Sequence, residues 1–142
     1  MSLLLYPILS ALLASAGWAF SFYFFRVTTG RLSLGSWWIP PFCRMSEGSC
    51  QVLVETPYGS ILGKPNAFWG TLYYPFLILV IAFTGLGIVD IELFIGLTFI
   101  AMIISLYLLW GLYILRTACP VCFVTHCVNL LILVTAISWR SA

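Results

Sequence analysis

The chain has 142 residues, of which 63% are hydrophobic and only 7% charged, six Lys or Arg against four Asp or Glu. A globular domain carries roughly 25% charged residues, so this composition excludes an ordinary water-facing surface. A net charge of +2 with no basic cluster excludes nucleic acid as a partner, and the high apolar content excludes disorder.

The remaining solvent is lipid, and the charges mark where the chain crosses it. Four runs have the ~20-residue length that spans a bilayer core. The first span is expected over residues 3–25, inside a stretch from Met1 to Phe25 with no charged side chain. Ala14-Ser15-Ala16 resembles a signal-peptide cleavage pattern. However, no Lys or Arg precedes the run, and hydrophobicity continues through Trp18, Phe20, Phe22, Phe24 and Phe25, which suits a retained span better. Residues 26–64 are the one long connection; they hold most of the polar residues, the turn signals, and Cys43 and Cys50. The second span is expected over 66–89, kinked by Pro75. The third, over 93–115, follows a tight junction at Asp90 and Glu92. The fourth, over 118–139, follows Arg116 and carries His126. The expected fold is all-α: one integral membrane domain, residues 1–142, forming a four-transmembrane-helix bundle.

Counting crossings places the long loop and the Arg116 junction on the same membrane face. Cys43, Cys50, Cys119 and Cys122 therefore gather there. Cys119-Pro120-Val121-Cys122 is a Cys-x-x-Cys motif with Pro at a helix start, where its missing N–H costs nothing. Unpaired N–H groups and the positive end of the helix dipole favour a thiolate at that position, so redox chemistry follows. The plain alternative is a structural staple or two inert thiols. Cys43 and Cys50 shift the balance, because they can close a small flexible ring whose disulfide exchanges with a neighbour. A haem attachment motif would need His after the second cysteine, where Phe123 stands. Zinc held by Cys119, Cys122, His126 and a loop cysteine is disfavoured, because lipid and helix packing already hold the fold. No metal is expected. Cys127 points elsewhere around the helix and is read as a packing residue.

An electron relay needs an acceptor. Helical spacing puts Cys122, His126 and Asn129 on one face of the fourth span, and polar groups inside a span are functional candidates; the alternative is that His126 and Asn129 only bind neighbouring helices. Asn66 begins the second span on the cysteine face. A quinone reaching Cys122 through the bilayer would take hydrogen bonds from Asn66 or His126, flanked by Phe68 and Trp69.

The four-span layout, Cys43 and Cys50, the segment Gly63-Lys64-Pro65-Asn66-Ala67-Phe68-Trp69-Gly70 and the motif Cys119-Pro120-Val121-Cys122 together resemble vitamin K epoxide reductase and its microbial homologues. The resemblance implies a bundle around a quinone of ubiquinone or menaquinone type, capped by the long loop with a short half-helix in it. It implies that a thioredoxin-like or DsbA-like partner delivers electrons to the loop pair, which passes them to Cys119 and Cys122 and on to the quinone, supporting disulfide bond formation. Cys43 then looks like the cysteine attacked by the partner, Cys50 like the one that engages Cys119, and Cys122 like the thiolate facing the quinone. Asn66 matches an asparagine that binds a quinone oxygen, and Thr56 keeps a hydroxyl where a serine is common. His126 stands where animal members carry tyrosine, which favours thiol oxidation coupled to quinone reduction over epoxide chemistry. The chain ends soon after Trp139, so the partner is expected to be a separate protein.

Two expectations about orientation conflict. Disulfides persist outside the cytoplasm, so the cysteine face is expected to look outward in the cell membrane. Arg26, Arg31, Arg44, Lys64 and Arg116 on that face, against Arg140 on the other, argue for a cytoplasmic one. A rival of another class is a small non-enzymatic membrane subunit whose cysteines are structural.

Overall fold

In the computed structural model the described residues are 2–30, 37–38, 56–116 and 119–142. Cys43, Cys50 and the half-helix expected in the loop lie outside them. Four long helices dominate: α1 Ser2–Thr28, α2 Asn66–Gly85, α3 Ile91–Leu115 and α4 Pro120–Ser141. At ~1.5 Å per residue the shortest, of 20 residues, is ~30 Å long, the thickness of a hydrocarbon core. Their outer faces are as apolar as their inner ones. Leu72, Phe76 and Leu79 of α2, Ile100 and Ile103 of α3, and Leu130 and Val134 of α4 are all exposed. A helix that is apolar all round needs a lipid surround. The protein is a multi-pass membrane protein with an all-α bundle.

Helix ends are set by local chemistry that hydropathy does not report. α2 stops at Gly85, four residues before the expected end. Leu86 N–H turns back to the Ala82 carbonyl, Ile88 N–H to that of Phe83, and Gly87 takes a φ of +73°, a conformation cheap only for glycine. α3 begins at Ile91, two residues early, and its first-turn Glu92 meets Arg140 of α4 at 3.0 Å. α2 runs through Pro75 as one helix.

α1 packs along both α2 and α4, and α4 packs along α3, whereas α2 and α3 barely touch. The larger core cluster, Ala14, Tyr74, Leu77, Val80, Ile81, Phe94, Val128, Ile132 and Ala136, fills the bundle from its middle to the Glu92–Arg140 end. A smaller one, Tyr23, Phe24, Ala67, Cys119 and Val121, lies at the cysteine end, where Trp38 of the long loop packs onto it.

The end of the long loop is anchored by a short hairpin, β1 Ser60–Ile61 with β2 Lys64–Pro65, antiparallel with Ser60 opposite Pro65. Its two turn residues, Leu62 and Gly63, both have positive φ, 52° and 76°, the geometry that suits a two-residue hairpin. The hairpin feeds directly into α2 at Asn66.

Candidate active site

Cys119 and Cys122 are joined by a disulfide, with their Cα atoms 5.3 Å apart, well within bridging range. Cys119 is the N-cap of α4 in extended conformation, Pro120 is the first helical residue, and Cys119 Sγ accepts the Cys122 N–H at 3.3 Å. The motif thus builds its own helix start. One of the unpaired first-turn N–H groups is aimed at a sulfur, the arrangement that favours negative charge there when the bond opens.

The two sulfurs face different surroundings. Cys119 is buried among Tyr23, Phe24, Ala67 and Val121, whereas Cys122 lines a cavity of about 310 Å³. The walls are mostly apolar: Phe20 and Phe24 from α1, Trp69 from α2, and Leu97, Ile100 and Ile104 from α3. Ile100, Ile104 and Trp69 are exposed as well as lining the cavity, and α2 and α3 make little contact, so among the described residues the cavity is open between these two helices. Its roof is the described end of the loop, Tyr58, Gly59 and Ile61.

Tyr58 holds this roof in place. Its ring lies on Gly111 of α3, where a Cβ would collide with it, and packs against Tyr107 at 5.3 Å between centroids. From the other side, Asn66 Nδ2 donates to the Tyr58 carbonyl at 2.6 Å, Asn66 N–H donates to the Gly59 carbonyl at 3.0 Å, and Trp69 Nε1 donates to the Ile61 carbonyl at 2.9 Å. A carbonyl only accepts, so the Asn66 amide is oriented by this bond. Among the described residues its Oδ1 is buried without a partner, as is His126 Nδ1. Both residues line the cavity beside Cys122. A buried polar atom left unpaired costs on the order of 1–3 kcal/mol, which marks a place where a ligand group is to be met.

Deeper in the same cavity, Tyr74 donates to Asn129 Oδ1 at 2.7 Å, and Asn129 Nδ2 donates to Ser105 Oγ at 2.8 Å. Among the residues expected at the site, Cys122, Asn66, His126 and Trp69 come together around one cavity. Phe68 instead packs on Phe25 and Trp69, with Lys64 over its ring, and is absent from the cavity wall. Thr56 opens the turn before the hairpin, its carbonyl accepting from Gly59 N–H, and is likewise outside the wall. Cys127 is exposed on the outer face of α4, which corrects its reading as a packing residue. Tyr58 and Tyr74 went unread in the sequence. Ser105 was also missed, although a hydroxyl in the middle of an apolar span is a signal in itself.

A four-span bundle with a Cys-x-x-Cys disulfide at the edge of a cavity open between two of its helices defines a class of integral-membrane redox protein. The chain belongs to the vitamin K epoxide reductase family, whose family model matches residues 8–137. A search of curated proteins found no match. Together, membership and the disulfide make membrane oxidoreductase the functional class.

Proposed function

We propose that the protein is a thiol:quinone oxidoreductase that oxidises a thioredoxin-like or DsbA-like partner and so supports disulfide bond formation. The observation that carries this reading is the meeting of three things at one apolar cavity: the Cys122 sulfur of a disulfide, the unpartnered Asn66 Oδ1 and the unpartnered His126 Nδ1. A flat ring with oxygens at its edge and an apolar body fits such walls: the second N–H of Asn66 Nδ2 and a protonated His126 Nδ1 can donate to a carbonyl of the oxidised ring, and Asn66 Oδ1 accepts from the hydroxyl of the reduced one. A quinone bound there supplies a two-electron, two-proton acceptor that stays dissolved in the membrane.

The protein's own steps are thiol–disulfide exchanges. The partner's thiolate attacks the Cys43–Cys50 disulfide, and its second thiol closes the partner's disulfide, leaving Cys43 and Cys50 reduced. The Cys50 thiolate attacks Cys119, the S–S bond to Cys122 breaks, and Cys122 leaves as a thiolate in the first turn of α4, where the helix dipole favours negative charge. Cys43 then attacks Cys50, which restores the loop disulfide and frees Cys119 as a thiol. Cys119 and Cys122 are now the reduced pair, with Cys122 facing the cavity, and closing the Cys119–Cys122 disulfide again would release the two electrons and two protons that a bound quinone takes up. Asn66 orients the acceptor, and His126 replaces the tyrosine of animal members, which favours a plain quinone over an epoxide. The described end of the loop, Tyr58, Gly59 and Ile61, covers the cavity, and Tyr58 fastens it.

This assignment places the cysteine face outside the cytoplasm, where disulfides persist, and treats Arg26, Lys64 and Arg116 as basic residues of a partner-binding face rather than as inside markers. The test is quinone reduction by the purified protein supplied with a reduced thioredoxin-like protein. Turnover in the wild type and its loss in Cys119→Ala and in Cys122→Ala are expected; unchanged turnover in either variant ends the relay.

A further inference from the structure

The two membrane faces carry their charge differently. Arg26, Arg31, Arg44, Lys64 and Arg116 lie on the cysteine side against Glu47 and Glu55, while Asp90, Glu92 and Arg140 lie on the other. On that other side Arg140 is matched by Glu92 at 3.0 Å. On the cysteine side, no Asp or Glu among the described residues accompanies Arg26, Lys64 and Arg116. Helix chemistry accounts for two of the three. Arg26 stands in the last turn of α1 and Arg116 caps the end of α3, and a helix C-terminus favours a cation. Lys64, in β2, comes two residues before α2 begins, where the helix dipole disfavours one.

The three cations frame one spot. Arg26 follows Phe25, which packs against the cluster that buries Cys119 and meets the Phe68 ring beneath Lys64. Arg116 precedes Cys119 by three residues. The Lys64 ammonium lies over the Phe68 ring at 5.7 Å and the Arg26 guanidinium over the Phe22 ring at 5.0 Å, contacts that steady a cation without cancelling its charge. A patch of one sign speeds and orients the approach of a surface of the other. Resting on the reading that a soluble dithiol protein feeds this face, we propose that Arg26, Lys64 and Arg116 form a cationic docking face, and that its occupant is an acidic, cysteine-bearing surface of the thioredoxin-like partner. The outward orientation sets these residues against the inside bias of basic side chains, and docking gives them a reason to stand there. Charge of this kind acts on encounter, so it sets kcat/KM and leaves kcat alone.

The test uses the full chain in nanodiscs of uncharged phosphatidylcholine, with a quinone as acceptor and three reductants: a thioredoxin bearing carboxylates beside its catalytic cysteines, the same thioredoxin with those carboxylates changed to amides, and uncharged dithiothreitol. Raising NaCl from about 50 to about 300 mM is expected to lower kcat/KM for the acidic thioredoxin about tenfold, and to change the other two less than about twofold. Lys64→Gln and Arg116→Gln should each lower the low-salt kcat/KM for the acidic form about threefold, with kcat and the dithiothreitol rate unchanged. Lys64→Glu combined with Arg116→Glu should remove the preference for the acidic form. An equal salt response of both thioredoxins, or none, overturns the proposal, and this comparison needs the wild type alone. Repeating it with phosphatidylglycerol in the nanodisc separates the competing occupant: a salt response that appears only there assigns the cations to lipid headgroups and overturns the docking face. Turnover with dithiothreitol but with neither thioredoxin removes the partner and this face together, and no turnover with any reductant removes the thiol:quinone reading itself.

Discussion

The two ends of the bundle are built from the same apolar residue types and do opposite things with them. Toward the Glu92–Arg140 end, α3 sends Phe94 into an apolar core with Leu77, Val80, Ile81, Ile132 and Ala136, none of which lines the cavity beside Cys122. Toward the cysteine end, the same helix lines a cavity with Ile100, Ile104 and Leu108, and the roof is the described end of the loop, held by Tyr58 on Gly111 and by hydrogen bonds from Asn66 and Trp69. The difference teaches where rigidity is placed: close packing holds one half, so the other half can keep open space and unpaired polar atoms next to a disulfide.

Substitutions at each end sharpen that contrast. Cys122→Ala is expected to have the largest effect, lowering quinone turnover by at least about 10³, ~4 kcal/mol on the barrier. Leu77→Ala, at a fully buried position, should destabilise the folded protein by about 2–4 kcal/mol in denaturation while changing turnover of the folded fraction less than about threefold. A loss of turnover without a loss of stability there would erase the distinction between the halves. Gly17→Ala sits at the border, since its Cβ would collide with the Tyr74 ring. It should cost about 1–3 kcal/mol of stability and weaken quinone binding as well, read by melting and by fluorescence quenching. Gly111→Ala makes the same chemical change against Tyr58, but the strain falls on the roof. Turnover should drop about tenfold with melting nearly unchanged, the reverse of Leu77→Ala. Arg140→Ala is expected to matter least, at about 0–1 kcal/mol and less still in high salt, because both partners of its ion pair are largely exposed.

Much of this was legible in the sequence because it rests on composition and short spacing. Uncharged runs locate the four helices, and Cys119-Pro120-Val121-Cys122 identifies both a helix start and a dithiol. His126 and Asn66 were placed on the correct face by counting crossings and turns. Helix ends were less legible: α2 stops at a turn built by Gly87, and hydropathy continues across it without a signal. Asn129 shows the deeper limit. Its face was readable, but its partners lie 55 and 24 residues away, and only the assembled bundle brings Tyr74 and Ser105 to it. Phe68 and Trp69 are adjacent aromatics, and which of the two lines the cavity depends on the neighbouring α1 ring, Phe25, that takes up Phe68. Cys43 and Cys50 are legible only as motif, since they lie outside the described residues.

Because α2 and α3 barely touch, the cavity beside Cys122 has a side that none of the described residues closes. In a bilayer, acyl chains would lie against that side. Bilayer thickness, chain unsaturation or replacement by detergent then changes the vessel itself, and the activity of one unaltered sequence becomes a property of the lipid it is measured in.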